Sequence, residues 1–365
     1  MHIIQFYCYF GLNMPTAITP TTTDWEQALT KLSICMNYRK LGKTNYNVSE
    51  LSLGTWQLGG VWGTGFDHDS AQRLLHAAYE EGVNFFDTAD VYEAGESERA
   101  VGRFLKSVGD KDRLFVATKC GKQIEPFVNE GFSPEILRGY VEDSLERLGV
   151  ECIDLIQLHC PPTEVYYRPE IFELFDRLKE EGKIQHLGVS VEKIEEAVKA
   201  IQFNNVTTVQ IIYNMFRRRP EDYFFDMAAE KNVGVIVRVP LASGLLSGKM
   251  RAESTFNPGD HRHGNRNGEW FDKGETFAGV PFEIGLAAVE ELKEIFSGYD
   301  SLAQVALKWI LLNPKVSVII PGASKLEHIP GNMTAGNLPS FTPEQLAEAQ
   351  NVYNTYIKDH VHDLW

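Results

Sequence analysis

Several features missing from this sequence narrow its reading at once. No run of apolar residues is long enough to cross a bilayer. The apolar start, MHIIQFYCYFGL, is short and has neither a basic lead nor a small-residue cleavage site, so a secretory signal is not expected. The five cysteines, Cys8, Cys35, Cys120, Cys152 and Cys160, are odd in number and irregularly spaced, with no CxxC pair and no zinc spacing of Cys and His. That argues against a disulfide framework or a metal centre and fits reduced thiols in a cytoplasmic protein. Excess positive charge is missing too. Lys and Arg total 35 against 50 Asp and Glu, a formal net charge of -15. Nucleic acid and anionic membrane are therefore not expected as partners, although a local basic pocket remains compatible with the balance.

With 43% hydrophobic and 23% charged residues, the 365-residue chain has the composition of a globular protein able to bury a large core without staples. Residues 15–23, PTAITPTTT, read as a flexible connection. The folded domain is expected to start near Met36. The first 35 residues read as an extension, or as a stretch upstream of the start the cell uses.

From Met36 on, short apolar runs alternate with helical patterns. After a leading hairpin, strands are predicted over residues 50–56, 84–89, 114–119, 153–159, 186–191, 208–214, 234–240 and 316–322. Helices are predicted over 70–82, 97–108, up to 148 behind Ser133, 171–181, 194–201, 222–231, 283–296 and 302–312, with two more after 327 and 343. Ser97 and Ser133 read as N-caps and Gly149 as a helix stop. Strict alternation implies parallel strands with right-handed crossovers, and eight units within one domain point to a (β/α)8 barrel. An open, doubly wound sheet is the main alternative. It would normally carry a GxGxxG loop after its first strand, and LGTWQLGGVWG lacks that spacing.

In such barrels function sits at the C-terminal strand ends. There this chain places Asp87 and, shortly after, Tyr92 on the second strand, Lys119 on the third and His159 on the fourth, with Ser190, Gln210 and Arg238 on the next three. Taken singly, each has an ordinary reading: a packed loop aromatic, a turn cap, an ion pair, a histidine satisfying a carbonyl. Four at consecutive strand ends reverse those odds. A Lys ending LFVATK needs a partner, and Asp87 is the obvious one. A phenol beside an ammonium is expected to have a lowered pKa and to act as a general acid, and phenol and imidazole together can donate to an oxygen gaining charge. That chemistry suits carbonyl reduction, with the hydride supplied by a cofactor.

These residues lie in segments that resemble the aldo-keto reductase family. NFFDTADVYEAGESE, VATK, DLIQLHCP, HLGVSV, VQIIYN, PLASGLLSGK and IPGASK occur in the family's order, from about Arg39 to about Asn332. The resemblance implies a catalytic tetrad of Asp87, Tyr92, Lys119 and His159, with Tyr92 as general acid and His159 orienting the carbonyl. It implies NADPH, less often NADH, bound across the barrel mouth. Gly54, Thr55 and Trp56 would lie beside the nicotinamide with Asp87, while Ser190 and Gln210 would hold the carboxamide. Pro240, Leu241, Ser243 and Lys249 would hold the pyrophosphate. Gly322, Ser324, Lys325, His328 and Asn332 would surround the adenosine and its 2′-phosphate.

Three positions depart from the family pattern: Val191 where Asn is common, Arg238 where an aromatic ring often stacks on the nicotinamide, and Gly331 where an acidic residue is frequent. Arg238 is expected either to stack or to turn toward a phosphate, favouring the reduced cofactor. The irregular stretch 249–281 is expected to fold over the cofactor or substrate, with Trp270 and Phe271 as lid aromatics, and its closely spaced His261 and His263 are not read as metal ligands. Trp56, Trp62 and Phe66 suggest an aromatic wall for a small carbonyl substrate. Two other functions stay open at this stage: a cofactor-binding regulatory subunit resembling potassium-channel beta subunits, and a Schiff-base aldolase using Lys119. Homo-oligomerisation also stays open.

Overall fold

A ring of parallel strands is closed by the contact between its first and last members. The computed structural model describes residues 36–60, 65–108 and 114–365, so the expectations for residues 1–35 and for Trp62 lie outside the described residues. Two short strands, β1 (Tyr38–Lys40) and β2 (Asn47–Ser49), pair antiparallel as the expected leading hairpin. Eight strands then follow: β3 (Leu53–Gly54), β4 (Phe85–Asp87), β5 (Phe115–Cys120), β6 (Ile153–His159), β7 (Ile184–Ser190), β8 (Val206–Ile212), β9 (Gly234–Arg238) and β10 (Val318–Ile319). Each pairs with the next in parallel, in the order β3 to β10. Parallel bridges Leu51↔Ile319 and Gly54↔Gly322 join the two ends. The result is the (β/α)8 barrel.

β3 and β10 are shorter than predicted because the seam is made of isolated bridges, not a full ladder. Gly54 explains the close approach: a Cβ there would lie 2.7 Å from the Ile320 carbonyl oxygen. At the opposite end of the barrel, Leu41 and Val48 of the hairpin join Phe85, Ala117, Leu155, Ile236, Val318 and Ile320 in one buried cluster. The hairpin thus plugs the bottom and leaves the C-terminal strand ends as the working face.

Local signals set most helix ends. Ser133 accepts a hydrogen bond from the Ile136 N–H and starts Pro134–Leu148, which stops at Gly149 in the left-handed conformation, φ 65°. The Ser97 cap is a correction. The helix Glu96–Ser107 starts one residue earlier, after Gly95 at φ 88°. Ser97 is buried, with its hydroxyl 2.7 Å from Thr55 Oγ1 and 2.9 Å from Thr88 Oγ1. Tertiary hydrogen bonds claimed a side chain that the sequence pattern assigned to its own backbone. Among the described residues no helix is long and apolar enough to cross a membrane.

Candidate active site

Alternation along the strands brings the expected residues together. Lys119, fully buried on β5, donates from Nζ to Asp87 Oδ1 (2.6 Å), to the Thr88 carbonyl (2.8 Å) and to Tyr92 Oη (3.0 Å). All three ammonium donors are used. The Tyr92 oxygen accepts from Lys119, which leaves its own proton free to be donated elsewhere. The Tyr92 and His159 rings stand edge to face, 6.0 Å between centroids. The chain reaches this arrangement through a tight turn: Glu93 and Ala94, right after Tyr92, have φ of 48° and 52°.

The electrostatics differ from expectation in one respect. Burial raises the Tyr92 phenol above its ordinary value, and the Lys119 ammonium offsets that only in part. Lys119 itself is drawn down by burial, but Asp87 and Tyr92 outweigh this and leave it raised. Burial, reinforced by Lys119, Lys122 and Arg238, pulls His159 well below its usual value, so its imidazole is neutral. Its buried Nδ1 has no hydrogen-bond partner among the described residues. The site is therefore a protonated phenol, a charged ammonium and a neutral imidazole.

Gln157, not anticipated from the sequence, completes the carboxylate's shell. Its amide and that of Gln210 donate to Asp87 Oδ2 at 3.2 and 2.8 Å. The period-two face that carries His159 also carries Gln157, and this signal was available. Gln210, expected at a carboxamide, spends its amide on Asp87. Thr55 also acts inside the protein, bonding the Asp87 carbonyl through both its N–H (2.9 Å) and its hydroxyl (3.0 Å). Ser190 faces Cys160, Oγ to Sγ 3.4 Å.

Arg238, expected to stack or to turn toward a phosphate, is held by groups of the protein. Its guanidinium donates to the Val191 carbonyl (3.0 Å) and Glu192 Oε2 (2.9 Å) and lies 3.4 Å from Glu275 Oε2. Cys160, Glu192 and Glu275 have ligating atoms close enough for a metal, but the guanidinium sits among them. Burial and the neighbouring Glu275 push Glu192 up to about 7. For Glu275 burial acts upward, yet Arg238 and a hydrogen bond from Glu192 bring it below the usual range. No local pattern marked either Glu, because the pairing joins β9 to the turn after β7 and to a later loop.

That loop, expected to cover the mouth, is clipped to the turn after β9. Ser243, expected at the pyrophosphate, donates to the Glu275 carbonyl (3.0 Å) and accepts from the Phe277 N–H (3.0 Å). Pro240 and Leu241 form the same turn, where the Leu241 carbonyl accepts from the Gly244 and Leu246 N–H groups. Trp270 is exposed, at 48%, which corrects its assignment as a lid aromatic. Phe271 lies 5.9 Å from His261, and it is His261 that reaches Trp56, at 4.8 Å between centroids. Phe66 packs instead against His68, at 5.1 Å.

On the other flank, Lys249 and Lys325 both lie near enough to His328 to depress its proton affinity, after burial itself. The Ser324 N–H points to His328 Nδ1 (3.4 Å), and Asn332 Nδ2 donates to the Gly322 carbonyl (3.4 Å). Gly331 offers its carbonyl to Gln304 and Thr334. Glu327 opposes the two lysines at His328 and lies 3.9 Å from Lys325 Nζ, so the turns after β9 and β10 bring two lysines and one carboxylate around this imidazole.

Known proteins share this plan. A profile described as "Aldo/keto reductase family" matches residues 50–354. The aldo-keto reductase YhdN of Bacillus subtilis is 31% identical over 90% of this chain and 96% of its own. Aldo-keto reductase AKR11C1 from Bacillus halodurans, solved in its holo form, superposes with a TM-score of 0.71 at 28% identity, covering 90% of this chain and 99% of that one. Glycerol dehydrogenase AKR11B4 from Gluconobacter oxydans does so with a TM-score of 0.70 at 31% identity, covering 90% and 97%. A closed barrel, a phenol–ammonium–carboxylate cluster at its mouth and a match that spans most of the chain together place this protein in the aldo/keto reductase family, as an oxidoreductase acting on carbonyls with a nicotinamide cofactor.

Proposed function

We propose that the protein reduces a small aldehyde or ketone to the alcohol with NADPH, using Tyr92 as general acid. The observation that carries this reading is the position of Lys119 Nζ, hydrogen-bonded to both Asp87 and Tyr92. A bound nicotinamide supplies the hydride. The chain's own groups handle the oxygen. Tyr92, its oxygen already accepting from Lys119, donates its proton to the carbonyl oxygen as negative charge develops there. Lys119 stabilises the phenolate left behind, and Asp87, held by Gln157 and Gln210, keeps Lys119 charged and in place. Neutral His159 offers a ring N–H to the same oxygen without competing as an acid.

The residues present fit the cofactor. Lys249 and Lys325 bring positive charge, and His328 a neutral ring, to where a 2′-phosphate or pyrophosphate is expected, which supports NADPH over NADH. Gly54, Trp56, Ser190, Ser324 and Asn332 lie at the strand ends and turns that would line the rest of it. One similar solved structure is named a glycerol dehydrogenase, which supports an alcohol–carbonyl couple. The Schiff-base reading requires a neutral Lys119 amine, whereas this ammonium is buried against a carboxylate and raised in pKa.

The test is loss of reduced-nicotinamide absorbance with a panel of aldehydes and ketones, wild type against Tyr92→Phe. Turnover that falls by roughly 10²–10⁴-fold in Tyr92→Phe supports the reading. Cofactor binding without turnover of any carbonyl overturns it in favour of a regulatory subunit.

A further inference from the structure

His261 enters the mouth from the long loop, and its surroundings define which ring nitrogen carries the proton. Its ring is 4.8 Å from Trp56, and Trp56 follows Thr55, whose N–H bonds the Asp87 carbonyl. Trp56 follows β3 closely, so the imidazole packed on it lies at the C-terminal strand ends, the face that also carries Tyr92 and His159. Thr276, next to it, follows Glu275, whose charge is close enough to raise the Tyr92 phenol. Glu275 lies 3.4 Å from Arg238, and the next residue, Thr276, is hydrogen-bonded to His261.

The histidine is held firmly. Asp260 caps the short helix His261–Gly264 through the Arg262 N–H (2.9 Å), and the Arg262 guanidinium returns to both Asp260 oxygens. The His261 carbonyl accepts from the Asn265 N–H (2.8 Å). His261 is 7% exposed, unlike an ordinary solvated loop histidine.

A chain of hydrogen bonds then sets the tautomer. Asn265 Oδ1 accepts from the Trp270 and Phe271 N–H groups at 2.7 and 3.0 Å, which fixes which end of the amide is oxygen. Asn265 Nδ2 must then donate to Thr276 Oγ1, at 3.1 Å. Buried Thr276 has one hydroxyl proton, and the acceptor beside it among the described residues is His261 Nδ1, at 3.0 Å. The ring proton falls on Nε2. Burial brings this imidazole down to about 4, against Asp260, so the ring is neutral. Nε2–H has no hydrogen-bond partner among the described residues. An N–H donor left open in this way is available to an acceptor that enters with the substrate.

We propose that His261 is a specificity-determining residue whose Nε2–H binds a second oxygen of the substrate, so that the preferred substrates are small hydroxy- or oxo-substituted carbonyl compounds. This rests on the carbonyl-reductase reading and extends it. Tyr92 and His159 take the oxygen being reduced. His261, on the Trp56 side, takes another oxygen of the same molecule, and the Trp56 face covers the carbon between them. Thr276 acts through His261 as a positioning residue, because its hydroxyl holds the donating tautomer.

The experiment compares propanal with lactaldehyde, which differ by one hydroxyl, in the wild type, His261→Phe, His261→Gln and Thr276→Val. Tyr92→Phe serves as the control for the chemistry. The wild type is expected to favour lactaldehyde in kcat/KM by about tenfold, the worth of one hydrogen bond. His261→Phe should erase that preference while keeping propanal turnover, which also reports that the variant is folded. His261→Gln, which carries an N–H, should recover part of the preference, and Thr276→Val should weaken it. A wild type that reduces propanal and lactaldehyde equally well overturns the proposal, as does a His261→Phe variant that loses both substrates in the same proportion. In either case carbonyl reduction itself stands. Absence of turnover with any carbonyl removes the reductase reading and this inference together.

Discussion

Lys119 and Asp87 form an ion pair 2.6 Å long with both side chains 1% exposed. Removing one partner of such a pair leaves an uncompensated buried charge, worth about 3–5 kcal/mol. Lys119→Met is therefore expected to cost stability of that order and to abolish turnover. The double variant Lys119→Met/Asp87→Asn should recover most of the stability and none of the activity. Urea denaturation of the three proteins, with kcat measured alongside, checks both statements.

Arg238 holds two carboxylates that would otherwise repel each other. In Arg238→Tyr, Glu192 and Glu275 face one another in a buried site with no cation between them. The variant should lose stability, more at pH 8 than at pH 5, because at low pH one of the pair is protonated. Adding Glu275→Gln should reduce the pH dependence of the loss, and the part that remains belongs to the burial of Glu192 itself. An aromatic residue at position 238 is thus expected to be tolerated better when Glu275 is removed with it. A pH-independent loss in thermal unfolding would count against the compensation argument.

Asp90 carries a separate pH signature. Its carboxyl is buried, and burial, with Glu98 nearby, outweighs Arg147 and the Val91 and Gly121 N–H groups and pushes its pKa from 3.8 up to about 7. The folded state therefore binds this proton more tightly than the unfolded chain. The sign follows: the group costs nothing below about pH 4, costs progressively more as pH rises toward 7, and costs a constant amount above. Asp90→Asn is expected to stabilise the protein at pH 8 by on the order of a few kcal/mol and to change little at pH 4. Denaturation midpoints at the two pH values decide it.

The proposed preference for NADPH rests on Lys249 and Lys325 beside His328. Lys325→Gln and Lys249→Gln should each raise the KM for NADPH by about tenfold and leave that for NADH nearly unchanged, since charge-assisted contacts to a phosphate are worth about 1.5–3 kcal/mol. Equal effects on both cofactors would place these lysines at the pyrophosphate, which NADPH and NADH share.

What the sequence determined by itself is the part governed by period and local chemistry. Alternating runs located eight barrel strands, Ser133 and Gly149 bounded their helix, and strand-end positions brought Asp87, Tyr92, Lys119 and His159 to one mouth, because in a parallel barrel every strand delivers its C-terminal residues to the same face. What the tertiary structure decided depends on partners far apart in the chain. It took Ser97 from its cap into a hydroxyl network, committed Gln210 to Asp87, and turned Arg238 to Glu192 and Glu275. It raised the Tyr92 phenol where a neighbouring ammonium alone would have lowered it. Burial is a property of the assembled barrel, and no window of sequence reports how much water a side chain has lost or which distant carboxylate arrives to replace it.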